Sequence, residues 1–531
     1  MSAPVSENAA ASPRRFVSDF AISIALEPEE RWWGGSSTDG IFMPYGSGHF
    51  EQDLSETKAI DGRLGAPSNQ AAPVLVSTKG RAVASKKPFS FTFCNGRLDV
   101  RGAELELLET DGNLRAAYLA ACQRFFPPSG ELPAKKLITA PQYCTWIEMP
   151  HRPTQDLVIE FANRILAAGM PPGTIIIDDC WSPDYGNWTL DEARFPDPVQ
   201  MTTTLHDLGF SVMLWLVPFV SADSKTFRDL SKSNLLVRDS GDRVAVREWW
   251  NGHSAMLDVS NPAAVSWLTD ALDHLVEEQG IDGFKFDAGD VRDYFPDDQN
   301  FMHASPVEMC QNWARIGLRY PFNEFRACWN MAGQPLGQRL ADKPPMWGLL
   351  GLGSLIPEML AQSMMGYAIV CPDMIGGGEI NAMEDQSSVD QEFFVRYAQL
   401  AALSPMMQFS VLPSRVLDET HYRAVRNAVE TRERMMPVIL DLAQESARTG
   451  EPLIRPLAYE DASLADVTDQ FMLGPDYVVT PVLEKGATAR CITLPDGSWK
   501  QLGREGGPID GRQTITVPVT LETLPVFERV R

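Results

Sequence analysis

The pattern of apolar and polar positions changes twice along the chain. From 16 to 137 it alternates. Phe89, Phe91 and Phe93 are separated by Ser90 and Thr92, Asn95-Gly96 follows, and Leu98 and Val100 then alternate with Arg97 and Asp99. Alternation on both sides of Asn-Gly predicts a hairpin, because that dipeptide tolerates the left-handed backbone a two-residue turn needs. This stretch reads as a β-sandwich domain. From 138 to 449 short apolar runs, at 173–181, 211–220, 281–290 and 367–377, alternate with longer amphipathic segments. Over 154–168, Leu157, Val158, Phe161, Ile165 and Leu166 share one helical face. Asn261 is a cap and Pro262 an opening residue for a helix reaching about Glu278. Strand–helix alternation of this length predicts parallel strands and, most simply, a (β/α)8 barrel. From 450 to 531 short strands return, punctuated by Gly and Pro. The expected fold class is α/β: a (β/α)8 TIM barrel flanked by N-terminal and C-terminal β-sandwich domains, with residues 1–15 a disordered N-terminus.

Charge and composition narrow the partners. Asp and Glu number 70 against 46 Lys and Arg, a net charge of −24, which excludes nucleic acid and anionic membranes as default partners. No run approaches the roughly 18 apolar residues of a membrane span. The first fifteen residues lack the run of roughly 7–15 apolar residues a secretory signal needs, so a cytoplasmic location is expected. The eight cysteines are scattered without a CxxC pair, as buried small apolar residues in a reducing compartment would be. The seven histidines form no HxH or HExxH, so neither a metal nor another cofactor is expected. There is no GxSxG, P-loop or dinucleotide fingerprint.

The chemistry therefore rests on carboxylates at strand ends, where barrels place their active residues. In IDGFKFDAGD, alternation puts Lys285 and Asp287 toward the barrel mouth and Phe284 and Phe286 toward the helices. In IIIDDCW, either Asp178 or Asp179 faces the mouth, since neighbours point to opposite faces. Asp373 follows another apolar strand. Trp181, Trp188, Trp215, Trp249, Trp250, Trp329 and Trp347 lie near strand ends. Flat aromatics beside carboxylates suit sugar rings. A carboxylate-bound metal hydrolase and a barrel that binds sugars without cleaving them are the other readings.

Taken together, GIDGFKFDAGD, the segment WWNGHSAMLDVSNPAAVSWL, PDMIGGG, and DQFMLGPDYVVTPVLEKG followed by LPDGSW resemble glycoside hydrolase family 31, the retaining α-glycosidases. The resemblance covers about 138 to 500. It implies Asp287 as nucleophile and, sixteen positions after Arg326, Asp342 as acid/base, with the carboxyls roughly 5–5.5 Å apart. It further implies sugar contacts from Asp178, Asp179, Trp181, Trp250, Lys285, Arg326, Trp347, Asp373, Gln408 and Trp33. ADKPPMWG, RWWGG and SPMMQFS are most similar to the branch typified by the myogenesis-regulating glycosidase, which implies α-galactosides ahead of α-glucosides, α-xylosides or N-acetylated sugars. Two positions depart from the family: Gln408 stands where many members have His, and Asp290 where Glu is frequent. Lys285 and Arg326 are expected to keep Asp287 ionised. The apolar company of Pro344, Pro345, Met346 and Trp347 is expected to favour protonated Asp342. The expected partner is a small oligosaccharide or α-glycoside, with a homo-oligomer possible.

Overall fold

The computed structural model describes residues 13–55, 70–379, 383 and 388–531. At its centre six strands run side by side in parallel: Gln142–Cys144, Thr174–Ile177, Ser211–Leu216, Gly283–Phe286, Phe322–Phe325 and Gly337–Arg339. The seventh is split by Pro372-Asp373. Its first half, Ile369–Cys371, pairs with the sixth strand; its second half, Met374–Ile375, pairs with the eighth, Gln408–Phe409, which pairs back to the first. The ring thus closes through a break in one strand. Pro372 has no N–H to give a ladder, and Asp373 takes φ +64°. The strands are buried on both faces, as helix-covered parallel sheets are.

The helices follow the apolar spacing with one difference. Gln155–Ala167 is capped by Thr154, whose hydroxyl accepts from Leu157 N–H (3.3 Å). Its buried stripe is Val158, Phe161, Ala162 and Ile165, and Leu157 lies at the solvent edge. Pro262–Gln279 is capped by Asn261 and ends at Gly280 in the left-handed region.

The run at 211–220 is not one strand. Ser211–Leu216 enters the barrel, and beyond Pro218 the chain starts a separate antiparallel sheet of Phe219–Ser221, Gly252–Met256 and Val246–Trp249. This insertion, between the third and fourth barrel strands, carries Trp249, Trp250 and Asn251.

The N-terminal region forms two antiparallel sheets, of five and four strands. Phe89, Phe91 and Phe93 are buried, and Asn95 and Gly96 both have positive φ, as the Asn-Gly hairpin requires. Its first strand is Arg14–Ser18, so Arg14 and Arg15 pair with Leu105–Glu109 rather than forming part of a tail; residues 1–12 of that expected tail lie outside the described residues. The C-terminal region has a six-stranded and a two-stranded antiparallel sheet around Trp499, Phe527, Ile492 and Leu494.

The N-terminal domain meets the barrel at the turn Ser37–Phe42, pressed on the helix Leu352–Met364. A Cβ on Gly40 would lie 2.5 Å from the Pro357 carbonyl oxygen. Asp39, buried here, is pushed up to about 7, above all by burial; the Gln52 amide (2.9 Å) opposes this and Glu358 adds to it. Between about pH 4 and 7 the unfolded carboxyl has lost its proton and the folded one keeps it, so stability falls as pH rises through that window. Asp39→Asn is expected to raise the thermal midpoint at pH 8 and to flatten its decline from pH 4 to 8. An unchanged pH slope would contradict the role given to Asp39.

Candidate active site

The fourth strand aims its side chains as alternation requires. Phe284 and Phe286 pack outward on Tyr320, Trp313 and Phe325. Lys285 points inward and pairs with Asp178 (2.8 Å), both side chains 3% exposed. Burial by itself would pull the Lys285 ammonium down; Asp178 and the Cys144 thiol outweigh it and hold it above its ordinary value. Cys144 also donates to Asp178 (3.0 Å). Asp178 therefore forms the floor of the mouth rather than its wall.

Asp287 ends the strand. Trp215 Nε1 donates to its Oδ2 (2.8 Å), Ala288 N–H to its Oδ1 (2.9 Å), and Arg326 Nε also binds Oδ1. Burial pushes its carboxyl up, but Arg326, Lys285, Arg339 and the Trp215 hydrogen bond together hold it far below the usual carboxylate range. The backbone then turns sharply. Ala288 and Gly289 have φ +49° and +67°, and a Cβ on Gly289 would reach 2.5 Å from the Trp313 ring. Arg326, at the end of the fifth strand, also pairs with Asp290 (3.1 Å), and its guanidinium lies 5.5 Å from the Trp250 ring centroid. Trp250, 46% exposed, presents an open aromatic face at this mouth.

Across the mouth, Arg339 at the end of the sixth strand gathers three carboxylates: Asp342 (2.6 Å), Asp373 (2.7 Å) and Glu324 (3.2 Å). Asp342 is 44% exposed at its side chain. Its partner is Arg339, while Lys343 turns away to Glu358 (2.7 Å). Asp373 is buried with both oxygens engaged, Oδ1 by Arg339 and Oδ2 by Lys343 N–H (2.8 Å). Burial pushes it up to about 7, Arg339 opposing and Asp342 assisting. It thus ties Arg339 to the start of the Lys343 segment beside Asp342.

Asp179 takes the position on the mouth wall. Its Oδ1 accepts from the Tyr185 hydroxyl (2.9 Å), and Asn251 from the inserted sheet donates to Oδ2. Burial and Asp178 raise its pKa, and Tyr185, His151 and Asn251 oppose them. Four other residues of the expected set are engaged in packing or hydrogen bonds of their own. Trp181 is core, its indole bound to Trp215 O (2.6 Å) and its ring against Trp188. Trp347 donates to Asp390 (3.0 Å) and packs on Phe393. Gln408 is fully buried and bonded to Glu324. Trp33 is a core residue of the strand Trp32–Ser36 and makes no hydrogen bond or ring contact with the mouth among the described residues. Arg339, Glu324, Tyr185 and Asn251 were missing from the expected set, and Trp215 stood in it only as one of the tryptophans near strand ends. Only Trp215, on the third strand with outward-pointing neighbours, carried a local signal.

The sequence profile of the "Glycosyl hydrolases family 31 TIM-barrel domain" matches residues 140–334 and 349–442, and that of the family's C-terminal domain matches 450–530. The chain belongs to glycosyl hydrolase family 31. The match skips 335–348, the stretch that holds Arg339 and Asp342. The mouse (Mus musculus) protein named myogenesis-regulating glycosidase is 34% identical over 418 residues, 76% of this chain and 57% of its own length. Alpha-xylosidase XylQ of Lactiplantibacillus pentosus is 25% identical over 376 residues, 66% of this chain and 47% of its own length. This family 31 chain thus spans about half the length of those relatives. Among solved structures, a Flavobacterium johnsoniae GH31 dextranase complexed with glucose superposes with a TM-score of 0.85 at 18% identity, covering 97% of this chain and 68% of the other. That likeness is one of fold.

Proposed function

We propose that this chain hydrolyses terminal α-linked sugars by double displacement. The observation that carries the reading is the pairing of two unlike carboxylates at one barrel mouth. Asp287 is buried and held ionised by Arg326, Lys285 and Trp215; Asp342 is exposed on Arg339. Asp287 attacks the anomeric carbon and the leaving oxygen takes a proton from Asp342. In the second step Asp342 removes a proton from water, which attacks the glycosyl-enzyme and restores Asp287. Trp250 offers a face to the ring, and Asp179 and Arg326 offer hydrogen bonds to its hydroxyls, above the Lys285–Asp178 floor. The sugar put first is α-galactose, on the resemblance of ADKPPMWG, RWWGG and SPMMQFS to one branch of the family. All eight cysteines are free thiols, which favours a reducing, cytoplasmic setting. No helix among the described residues is long and apolar enough to cross a membrane.

A panel of nitrophenyl α-glycosides tests this. The α-galactoside is expected to turn over fastest. A faster α-xyloside or α-glucoside would move the sugar assignment, and no hydrolysis of any member above the Asp287→Ala background would remove the enzyme reading.

Gln70 gives a further expectation. It reaches from the N-terminal domain and donates to the carbonyls of Arg326 (3.0 Å) and Arg339. Gln70→Leu leaves both carbonyls without that donor, a cost of about 1–3 kcal/mol. It is expected to lower kcat about 5- to 100-fold with near-ultraviolet dichroism retained. Unchanged kcat would show that Gln70 does not position the arginines.

A further inference from the structure

The histidines and cysteines look isolated in the sequence, yet the fold joins one of each to a carboxylate. The loop after the first barrel strand turns at His151 (φ +55°), and the loop after the second turns at Cys180 (φ +68°). These turns bring one donor atom each from His151, Asp179 and Cys180 within 4.8 Å of one another. His151 Nδ1 stands 3.4 Å from Asp179 Oδ2 and 3.9 Å from Cys180 Sγ.

Those separations are near what one tetrahedral ion imposes. With metal–nitrogen and metal–oxygen bonds of about 2.0–2.2 Å and a metal–sulfur bond of about 2.3 Å, tetrahedral angles separate N from O by about 3.4 Å and N from S by about 3.5 Å. A few tenths of an ångström close the N–S difference, and the Cys180 sulfur and the Asp179 oxygen, which lie within 4.8 Å, must stand about 3.6 Å apart around the ion. The surroundings hold the donors in place. Tyr185 and Asn251 fix the Asp179 carboxylate, and Trp146 lies edge-on to the His151 ring, centroids 5.6 Å apart. The His151 side chain is 42% exposed, so an ion has a path in and a fourth position for water.

We propose that His151, Asp179 and Cys180 bind one Zn2+-class divalent ion at the barrel mouth. A sulfur, an imidazole and a single carboxylate select zinc over calcium or magnesium, which require oxygen shells. On binding, the Cys180 thiol releases its proton to solvent and the sulfur lone pair forms the metal bond, while neutral His151 donates through Nδ1 with its proton on Nε2.

Cobalt titration of the intact protein tests the site. One equivalent of Co2+ is expected to give the visible bands of a four-coordinate ion and a near-ultraviolet thiolate-to-cobalt band, both removed by Zn2+. Cys180→Ser should abolish the near-ultraviolet band. His151→Ala should weaken Co2+ binding about 10- to 100-fold or more, since loss of a ligand costs no less than loss of a supporting contact. Cys491→Ser, which removes the exposed thiol, should change neither. Near-ultraviolet dichroism checks that each variant is folded. Absence of saturable binding, a thiolate band that survives Cys180→Ser, or unchanged affinity in His151→Ala would each overturn the site.

Discussion

Asp287→Ala is expected to lower kcat by about four orders of magnitude or more, the scale on which loss of a covalent nucleophile acts. The residue is prepared for attack. A carboxyl this buried would ordinarily keep its proton, but Arg326 and Lys285 above all, then Arg339 and the Trp215 indole, hold it ionised. The variant should fold, because each positive neighbour keeps another anion: Arg326 has Asp290 and Lys285 has Asp178. Steady-state rates on the best nitrophenyl glycoside, with dichroism as the fold check, give the comparison. Activity within tenfold of the unmodified protein would take the nucleophile role from Asp287. The same electrostatics set a pH expectation. Because Asp287 titrates far below the ordinary carboxylate range, its protonation should not produce the acid limb of kcat/KM at pH 4 and above.

For Asp342→Ala the expected loss is about 10²- to 10⁴-fold on glycosides with poor leaving groups, and much less where the leaving group needs no proton. Azide should restore turnover and yield a glycosyl azide of the substrate's own anomeric configuration, because a small anion fits where the carboxylate stood and needs no base. Failure of azide to produce that product on an activated substrate would remove Asp342 from the acid/base role. Arg339 holds Asp342 at the mouth. Its single guanidinium is shared among Asp342, Asp373 and Glu324, and burial pushes Asp373 up to about 7. Asp373 therefore retains a proton near neutrality, next to the group that must donate one. Asp373→Asn keeps the shape and removes that titrating neighbour, so it should shift the basic limb of the pH profile.

Neighbours along the chain were enough to set part of this structure. Period-two alternation oriented Lys285 and Asp287 inward and Phe284 and Phe286 outward. Asn95-Gly96 specified its hairpin through positive φ, and Thr154 and Asn261 started their helices by satisfying free N–H groups. The alternation of strands with helices was enough to expect a barrel. Tertiary structure alone decided which of these groups meet. Asp178 and Asp179 are indistinguishable in IIIDDCW. Lys285 claims the first as a buried counter-ion, and Tyr185 and Asn251 hold the second at the mouth. Trp181, Trp347 and Trp33 had the composition of sugar platforms, but indole N–H partners or core packing turned them elsewhere. Trp250 stays open because an inserted sheet, invisible to strand–helix counting, lifts it over Arg326. Arg339 and Glu324 become site residues only when the fifth, sixth and seventh strands lie side by side. Periodicity sets which way a side chain points. Charge pairing and hydrogen bonding between residues far apart in sequence set what it finds there, and a buried charge is tolerated only where the closed barrel supplies its partner.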